Sequence, residues 1–315
     1  MLEIYKTNNG ILEKIDKPEK DAWINLTAPT AEEIGTVLDN IEMENTFIYA
    51  ALDEEETSHI ECEDGCTLVI VDIPYHISDD EKSNSTKYGT VNYTTVPLGI
   101  ILTPDNIITV CLKENNIIND FADGKVKPLY TNMKTRFLLQ IMYKMSTRYL
   151  QYLKQIDKIS NTLESGLNKS MQNQELIKLL DLKKSLVFFS TSLKADEATI
   201  ERIMRGRVIK MYDEDQDLVE DVLIEIKQAI EMSSIYSNIL SGTMEAFASI
   251  ISNNLNLVMK TLTSLTIIMA IPTIYASFYG MNVSAIPIPN FWFVVVVSIL
   301  TIAVVVIVLF RNRMF

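Results

Sequence analysis

Near the C-terminal end, Thr266, Ala270, Thr273 and Ser277 recur at spacings of four, three and four. On an α-helix this spacing places small and polar side chains along one stripe. Extended backward, the stripe passes Thr263 or Leu262, Met259 and Asn256. Hydroxyl and amide oxygens set in line along an otherwise apolar helix suit the passage of a hydrated cation. The same stripe would also serve close packing against a neighbouring helix, where small residues let backbones approach. Pro272 sits inside this segment and removes one backbone donor.

The surroundings of the stripe decide where it works. Between Thr261 and Phe310 there is no Asp, Glu, Lys, Arg or His, and two apolar runs fill the interval, 262–278 and 291–310. Crossing a bilayer core takes about 20 apolar residues, with a tolerated range of about 17–25. Both runs qualify, and the second, FWFVVVVSILTIAVVVIVLF, is apolar all round. The competing reading, a buried hairpin of a soluble protein, would show a polar face. Lys260 precedes the first run, Arg311 and Arg313 follow the second, and the connection 279–290 carries no positive charge. The positive-inside tendency then puts both termini in the cytoplasm and the short loop outside, with Trp292 as an interfacial anchor. Two helices cannot enclose an aqueous path, so transport requires an oligomer, most simply a cyclic one.

The 315 residues carry a net charge of −13, almost all of it ahead of Thr261. Such acidity opposes nucleic-acid binding and is compatible with gathering cations. Cys62, Cys66 and Cys111 are odd in number and point to a reducing compartment. The opening MLEIYKTNNG lacks the basic and apolar regions of a secretory signal. His59, Cys62 and Cys66 lack a paired Cys-x-x-Cys and read as two strands joined at Asp64-Gly65, not as a zinc site. No nucleophile–base spacing or phosphate loop indicates an enzyme, and no organic cofactor is expected.

The elements that must carry the stripe fall into an α+β part and a helical part. Strands are expected at 23–26, 67–73, 98–102 and 107–112, with Thr103-Pro104-Asp105-Asn106 as a hairpin turn. Thr30 and Glu33 form a capping box that opens a helix through about Asn40. A second helix is read over 45–56, ending in the acidic cluster Asp53 to Glu56. Proline is absent from 129 through 271. Helices are expected over 133–165 and 174–206, broken between them by Gly166 and Asn168. A third starts near Asp213 and shows no stop before the membrane, a rod of roughly 100 Å at 1.5 Å per residue. The domains divide as 1–130 (α/β, cytoplasmic), 131–257 (long-helix stalk region), 258–280 (first span), 281–290 (outer loop), 291–310 (second span) and 311–315 (cytoplasmic tail).

Tyr279-Gly280-Met281-Asn282 closes the first span. A Gly-Met-Asn triplet in that position, preceded by Asn256-Leu-Val-Met-Lys-Thr-Leu-Thr263 and Pro272, resembles the signature of the CorA magnesium-transporter family. Trp23-Ile-Asn-Leu26 and Pro97-Leu-Gly-Ile100 resemble its cytoplasmic domain, so the likeness covers essentially the whole chain. The resemblance implies a homopentameric funnel with one long stalk helix per subunit and a central pore lined by the first span. Gly280, Met281 and Asn282 would form the outer mouth. Asn256, Met259, Leu262, Thr266, Ala270, Thr273 and Ser277 would line the pore. The implied cargo is Mg²⁺, with Co²⁺ and Ni²⁺ as further cargoes, drawn inward through the cell membrane by the membrane potential. A divalent ion gains about 4.6 kcal/mol per 100 mV. The resemblance also implies closure by cytoplasmic Mg²⁺ at acidic sites between domains. Asp221 falls at the stalk position and Asp53 is the candidate partner; a solvated acidic face is the alternative reading for both. The loop after Asn282 is neutral, without the Glu that the family often carries there. Ala270 is small, which moves the expected constriction to Leu262 or Met259. The rival functions are a zinc or other transition-metal transporter on the same fold and a non-conducting cation sensor.

Overall fold

A computed structural model describes residues 1–77, 92–170, 173–205, 209–281, 288 and 290–311. Two compact units divide the chain, Met1–Gly242 and Thr243–Phe315.

The first unit is built on a sheet of seven strands: β1 (Leu2–Asn8), β2 (Ile11–Ile15), β3 (Trp23–Thr27), β4 (His59–Glu63), β5 (Cys66–His76), β6 (Tyr93–Leu102) and β7 (Ile107–Cys111). Their order is β2-β1-β3-β7-β6-β5-β4, with β3 and β7 parallel and every other pair antiparallel. Strands 3, 5, 6 and 7 fall where alternation and β-branched content place them. β1 and β2 were not expected, although Asn9-Gly10 between them is a strong two-residue hairpin signal. Both turn residues take positive φ, 50° and 82°.

Trp23 anchors the centre. Its indole N–H donates to Thr109 Oγ1 at 2.9 Å, and Thr109 donates to Asn25 Oδ1 at 3.0 Å, so the buried polar groups of two parallel strands satisfy each other. Tyr5 stacks on the indole and Phe137 meets it edge-on.

Helix α1 (Ala31–Asn40) opens with the full capping box. The Thr30 N–H bonded to the Glu33 carboxylate, helped by the N-terminal ammonium, holds that carboxyl below its usual range. Helix α2 (Asn45–Ala51) is shorter than the expected 45–56. Asp53 Oδ1 accepts from the Glu55 N–H at 3.0 Å, a local turn that competes with the helix. Carboxylates are also unfavourable at the negative end of a helix dipole. α2 reaches the sheet through Gly99 of β6, where an added Cβ would stand 2.3 Å from Ala51 Cβ. A short helix α3 (Asn116–Ala122) is capped by Asn115.

The long helices are α4 (Lys134–Ser170), α5 (Asn173–Met204) and α6 (Gln216–Tyr279), the last preceded by a 3₁₀ turn at Asp213–Asp215. α4 does not break at Gly166 or Asn168. Gly166 lies inside the helix, where a Cβ would meet Glu175 Oε1 of α5 at 2.6 Å, so the glycine admits a close neighbour and terminates nothing. Within the first unit, α6 buries Val219, Val222, Ile226, Ala229, Ser233 and Leu240, a three–four stripe. Ser233 donates to the Leu186 carbonyl of α5 at 2.9 Å, and Lys227 pairs with Glu197 of α5 at 3.8 Å.

The second unit holds the rest of α6 and helix α7 (Phe291–Arg311), whose start is set by Asn290 Oδ1 accepting from the Trp292 N–H at 3.1 Å. Both helices are long and apolar enough to cross a membrane. Val296, Ile299, Leu300, Val304 and Ile307 of α7 stand exposed, which contradicts a buried soluble hairpin and suits lipid contact.

Candidate functional site

Two faces of α6 in the second unit do different things. Ser264 is fully buried and Ile271 nearly so, and the Tyr275 hydroxyl lies 3.0 Å from Thr301 Oγ1 of α7. The Tyr275 contact marks the face turned to α7, and Ser264 and Ile271, at spacings of seven and four, are buried on the same side of the helix. Each of Thr266, Thr273 and Ser277 sits two residues beyond one of them. At 3.6 residues per turn that is a rotation of about 200°, so the polar stripe looks away from α7.

Thr266, Ala270, Thr273 and Ser277 all line one open groove, together with Met269, Ile274 and Phe278. Asn256, Met259 and Leu262, earlier on the stripe, are also exposed. Close packing against its own second span therefore does not account for the stripe.

The hydroxyls are oriented by the helix itself. Thr266 Oγ1 donates to the Leu262 carbonyl at 2.8 Å and Thr273 Oγ1 to the Met269 carbonyl at 3.1 Å. With its proton given back to the preceding turn, each hydroxyl offers oxygen lone pairs outward. The water shell of a cation, which presents hydrogens, finds acceptors there.

Beyond Tyr279 the chain turns. Gly280 N–H donates to the Ala276 carbonyl at 3.0 Å and Met281 N–H to Phe278 at 3.4 Å. An added Cβ on Gly280 would press on the Ala276 carbonyl at 3.0 Å. Met281 is exposed. Asn282 lies outside the described residues.

Asp53 and Asp221 are both exposed, Asp53 just after α2 and Asp221 in the opening turns of α6. Among the described residues no group of three or more His, Cys, Asp or Glu side chains could hold a metal, so these two are not brought into a ready-made site within one chain. His59, Cys62 and Cys66 lie on the β4–β5 hairpin, as expected from Asp64-Gly65. Their side chains address Thr57, Thr67 and the Glu42 carbonyl respectively.

The profile of the family described as CorA-like Mg²⁺ transporter protein matches residues 19–312. The chain belongs to this family. Its CorA relatives include the cobalt/magnesium transport protein CorA of Methanocaldococcus jannaschii, 25% identical over 303 residues that cover 92% of this chain and 90% of that protein. The magnesium transport protein CorA of Campylobacter jejuni is 22% identical, covering 91% and 90%. The complete structure of the Methanocaldococcus jannaschii CorA magnesium transporter superposes with a TM-score of 0.83 at 24% identity, over 99% of this chain and 98% of that one. At that identity the superposition speaks for the fold: a soluble α/β part, a long helix and two C-terminal apolar helices. Members of the CorA family are ion transporters, not enzymes.

Sequence reasoning found the stripe but missed the face opposite to it. Ser264 and Tyr275 carry the signal that could have exposed it, two polar side chains one face away from the threonines.

Proposed function

We propose that the chain assembles as a homopentamer and conducts Mg²⁺, with Co²⁺ and Ni²⁺ as further cargoes, into the cytoplasm down the membrane potential. The observation that carries this reading is the separation of the two faces of α6. Tyr275 turns toward α7, with Ile271 and Ser264 buried on the same side, and the hydroxyl stripe is left for the axis of an oligomer.

Five copies of the stripe around that axis line a path with Asn256, Met259, Leu262, Thr266, Ala270, Thr273 and Ser277. Mg²⁺ sheds water reluctantly and prefers six oxygens in octahedral array. Rings of threonine and serine oxygens accept hydrogen bonds from the hydrated ion without stripping it. Asn282, with Gly280 and Met281, forms the outer mouth, where amide and carbonyl oxygens bind firmly enough to select and weakly enough to release. Met259 and Leu262 form an apolar constriction that gates by excluding water. Both termini face the cytoplasm, consistent with Lys260, Arg311 and Arg313.

Regulation follows from the acidic surface. Asp221 of one subunit and Asp53 of the next repel when bare and are bridged when Mg²⁺ binds between them. Filling these sites at high cytoplasmic Mg²⁺ closes the pore.

The test is Mg²⁺ influx into proteoliposomes holding the purified protein, with an inside-negative potential. Influx that collapses with the potential and is competed by Co²⁺ supports the reading. Zn²⁺ flux without Mg²⁺ flux would move the chain to zinc transport, and no flux of any divalent ion would make it a sensor.

A further inference from the structure

One buried contact in the first unit has no part in ion passage. Asp196 of α5 is fully buried. Its Oδ1 accepts from the Asp72 backbone N–H of β5 at 2.9 Å and from the Ser58 hydroxyl. Its Oδ2 is equally buried and meets no donor. The half-buried Asp72 carboxylate takes a hydrogen bond from Ser192, whose hydroxyl also meets Thr95 of β6 at 2.8 Å.

The other described neighbours that the bonds and ion pairs identify are these. From α4, the Tyr149 hydroxyl donates to the Asp72 carbonyl at 2.8 Å. At the head of β4, His59 Nδ1 faces the Thr57 carbonyl at 2.8 Å and Glu56 at 3.5 Å. From α6, Lys227 is engaged with Glu197 at 3.8 Å. Among the described residues, no lysine or arginine is ion-paired with Asp72 or Asp196.

Two ionised carboxylates here would repel each other with no counter-charge among the described residues and, at Asp196, no solvent, and Oδ2 would remain an unpaired buried acceptor. One proton taken from solvent onto the buried Asp196 carboxyl, whose Oδ2 meets no donor, removes the repulsion between the two groups. A divalent cation is a poorer occupant, because it wants about six oxygens and Asp196 Oδ1 already serves two donors. We propose that Asp196, set against Asp72, is a proton-binding site that clamps α5 to β5 and loosens when its proton is lost. Glu197, the next residue of α5, contacts α6 through Lys227, so loosening at this seam reaches the stalk helix.

Burial pushes the Asp196 carboxyl well above the usual carboxylate range, the Asp72 charge pushes the same way, and the bonds from Ser58 and the Asp72 N–H oppose them. Burial raises Asp72 as well, against the Ser192 bond. In the unfolded chain both groups titrate in the ordinary range. The folded site keeps its proton to higher pH, so its stabilisation is complete below the unfolded value and is lost as pH rises through the folded one.

Infrared spectroscopy and thermal unfolding of the full-length protein test this. At about pH 7, the wild type should show the carbonyl stretch of a protonated, buried carboxyl that shifts in D₂O, is missing in Asp196→Asn, and is unmoved by added Mg²⁺. The amide introduced by that substitution would keep the Oδ1 acceptor and place an N–H where the proton stands. From about pH 5 to about pH 8.5 the wild-type Tm should fall by about 5 °C, and the variant should lose most of that slope. Asp72→Asn serves the same comparison if Asp196→Asn fails to fold. A wild type without the band, a band erased by Mg²⁺, or a folded variant with the wild-type slope would overturn the proposal.

Discussion

Tyr275 and Thr301 meet hydroxyl to hydroxyl at 3.0 Å, joining the two apolar helices of the second unit. The contact fixes the rotation of α6 about its own axis. With Tyr275 turned to α7, Thr273 and Ser277 are turned to the open groove. Replacing Tyr275 by Phe removes the bond and keeps the ring. Interhelical bonds of this kind contribute about 0.6 kcal/mol on average in membranes. The expected result is a Tm lowered by about 1–3 °C in detergent, with Mg²⁺ influx kept within about twofold of wild type. A loss of flux larger than that caused by altering Thr273 would contradict the assignment of faces.

Thr273→Val keeps the shape of the side chain and removes its oxygen from the groove. If the stripe lines the ion path, influx should fall about threefold or more while the oligomer elutes unchanged in size-exclusion chromatography. Val at Ser264 is the wrong control because that position is buried; Leu300→Ile, on an exposed apolar part of α7, is a suitable one and should leave influx unaltered.

If Asn282 serves the mouth proposed above, Asn282→Ala should abolish Mg²⁺ uptake and leave assembly intact. Radiotracer or dye uptake beside chromatography of the same sample separates the two. Normal uptake by that variant would sink the role given to Asn282.

Asp221 is exposed in the opening turns of α6. Asp221→Lys puts a permanent cation where Mg²⁺ is proposed to bridge. Inhibition by Mg²⁺ on the cytoplasmic side should then need about tenfold more Mg²⁺ or disappear, as read from influx into liposomes preloaded with graded Mg²⁺. An unchanged inhibition curve would leave Asp221 as a solvated surface charge.

Gly99→Ala addresses the fold. The new methyl would lie 2.3 Å from Ala51 Cβ, backed by the Ala51 Cα at 3.5 Å, so α2 must move off β6. Overpacking of this kind costs about 1–3 kcal/mol. A Tm lower by about 2–4 °C per kcal/mol is expected from thermal unfolding, larger than for alanine at Gly242, where no atom lies within 4 Å.

Whatever depends on near neighbours in the chain was legible in the residues alone. Thr266, Ala270, Thr273 and Ser277 announce a stripe because a helix repeats every 3.6 residues. Thr30 and Glu33 announce a capping box because its two hydrogen bonds span three positions. The uncharged stretch 261–310 announces two membrane spans because a bilayer core excludes charge. Even Asn9-Gly10, overlooked as the turn between β1 and β2, was a local signal.

Other features needed the folded chain. Gly166 reads as a helix breaker until Glu175 is seen to occupy the space its side chain would fill. The face of α6 that packs on α7 depends on Thr301, 26 residues from Tyr275. Asp72 and Asp196 stand 124 positions apart, and each alone resembles any other aspartate. Burial removes the solvent that would keep Asp196 ionised, and only tertiary structure brings it against Asp72.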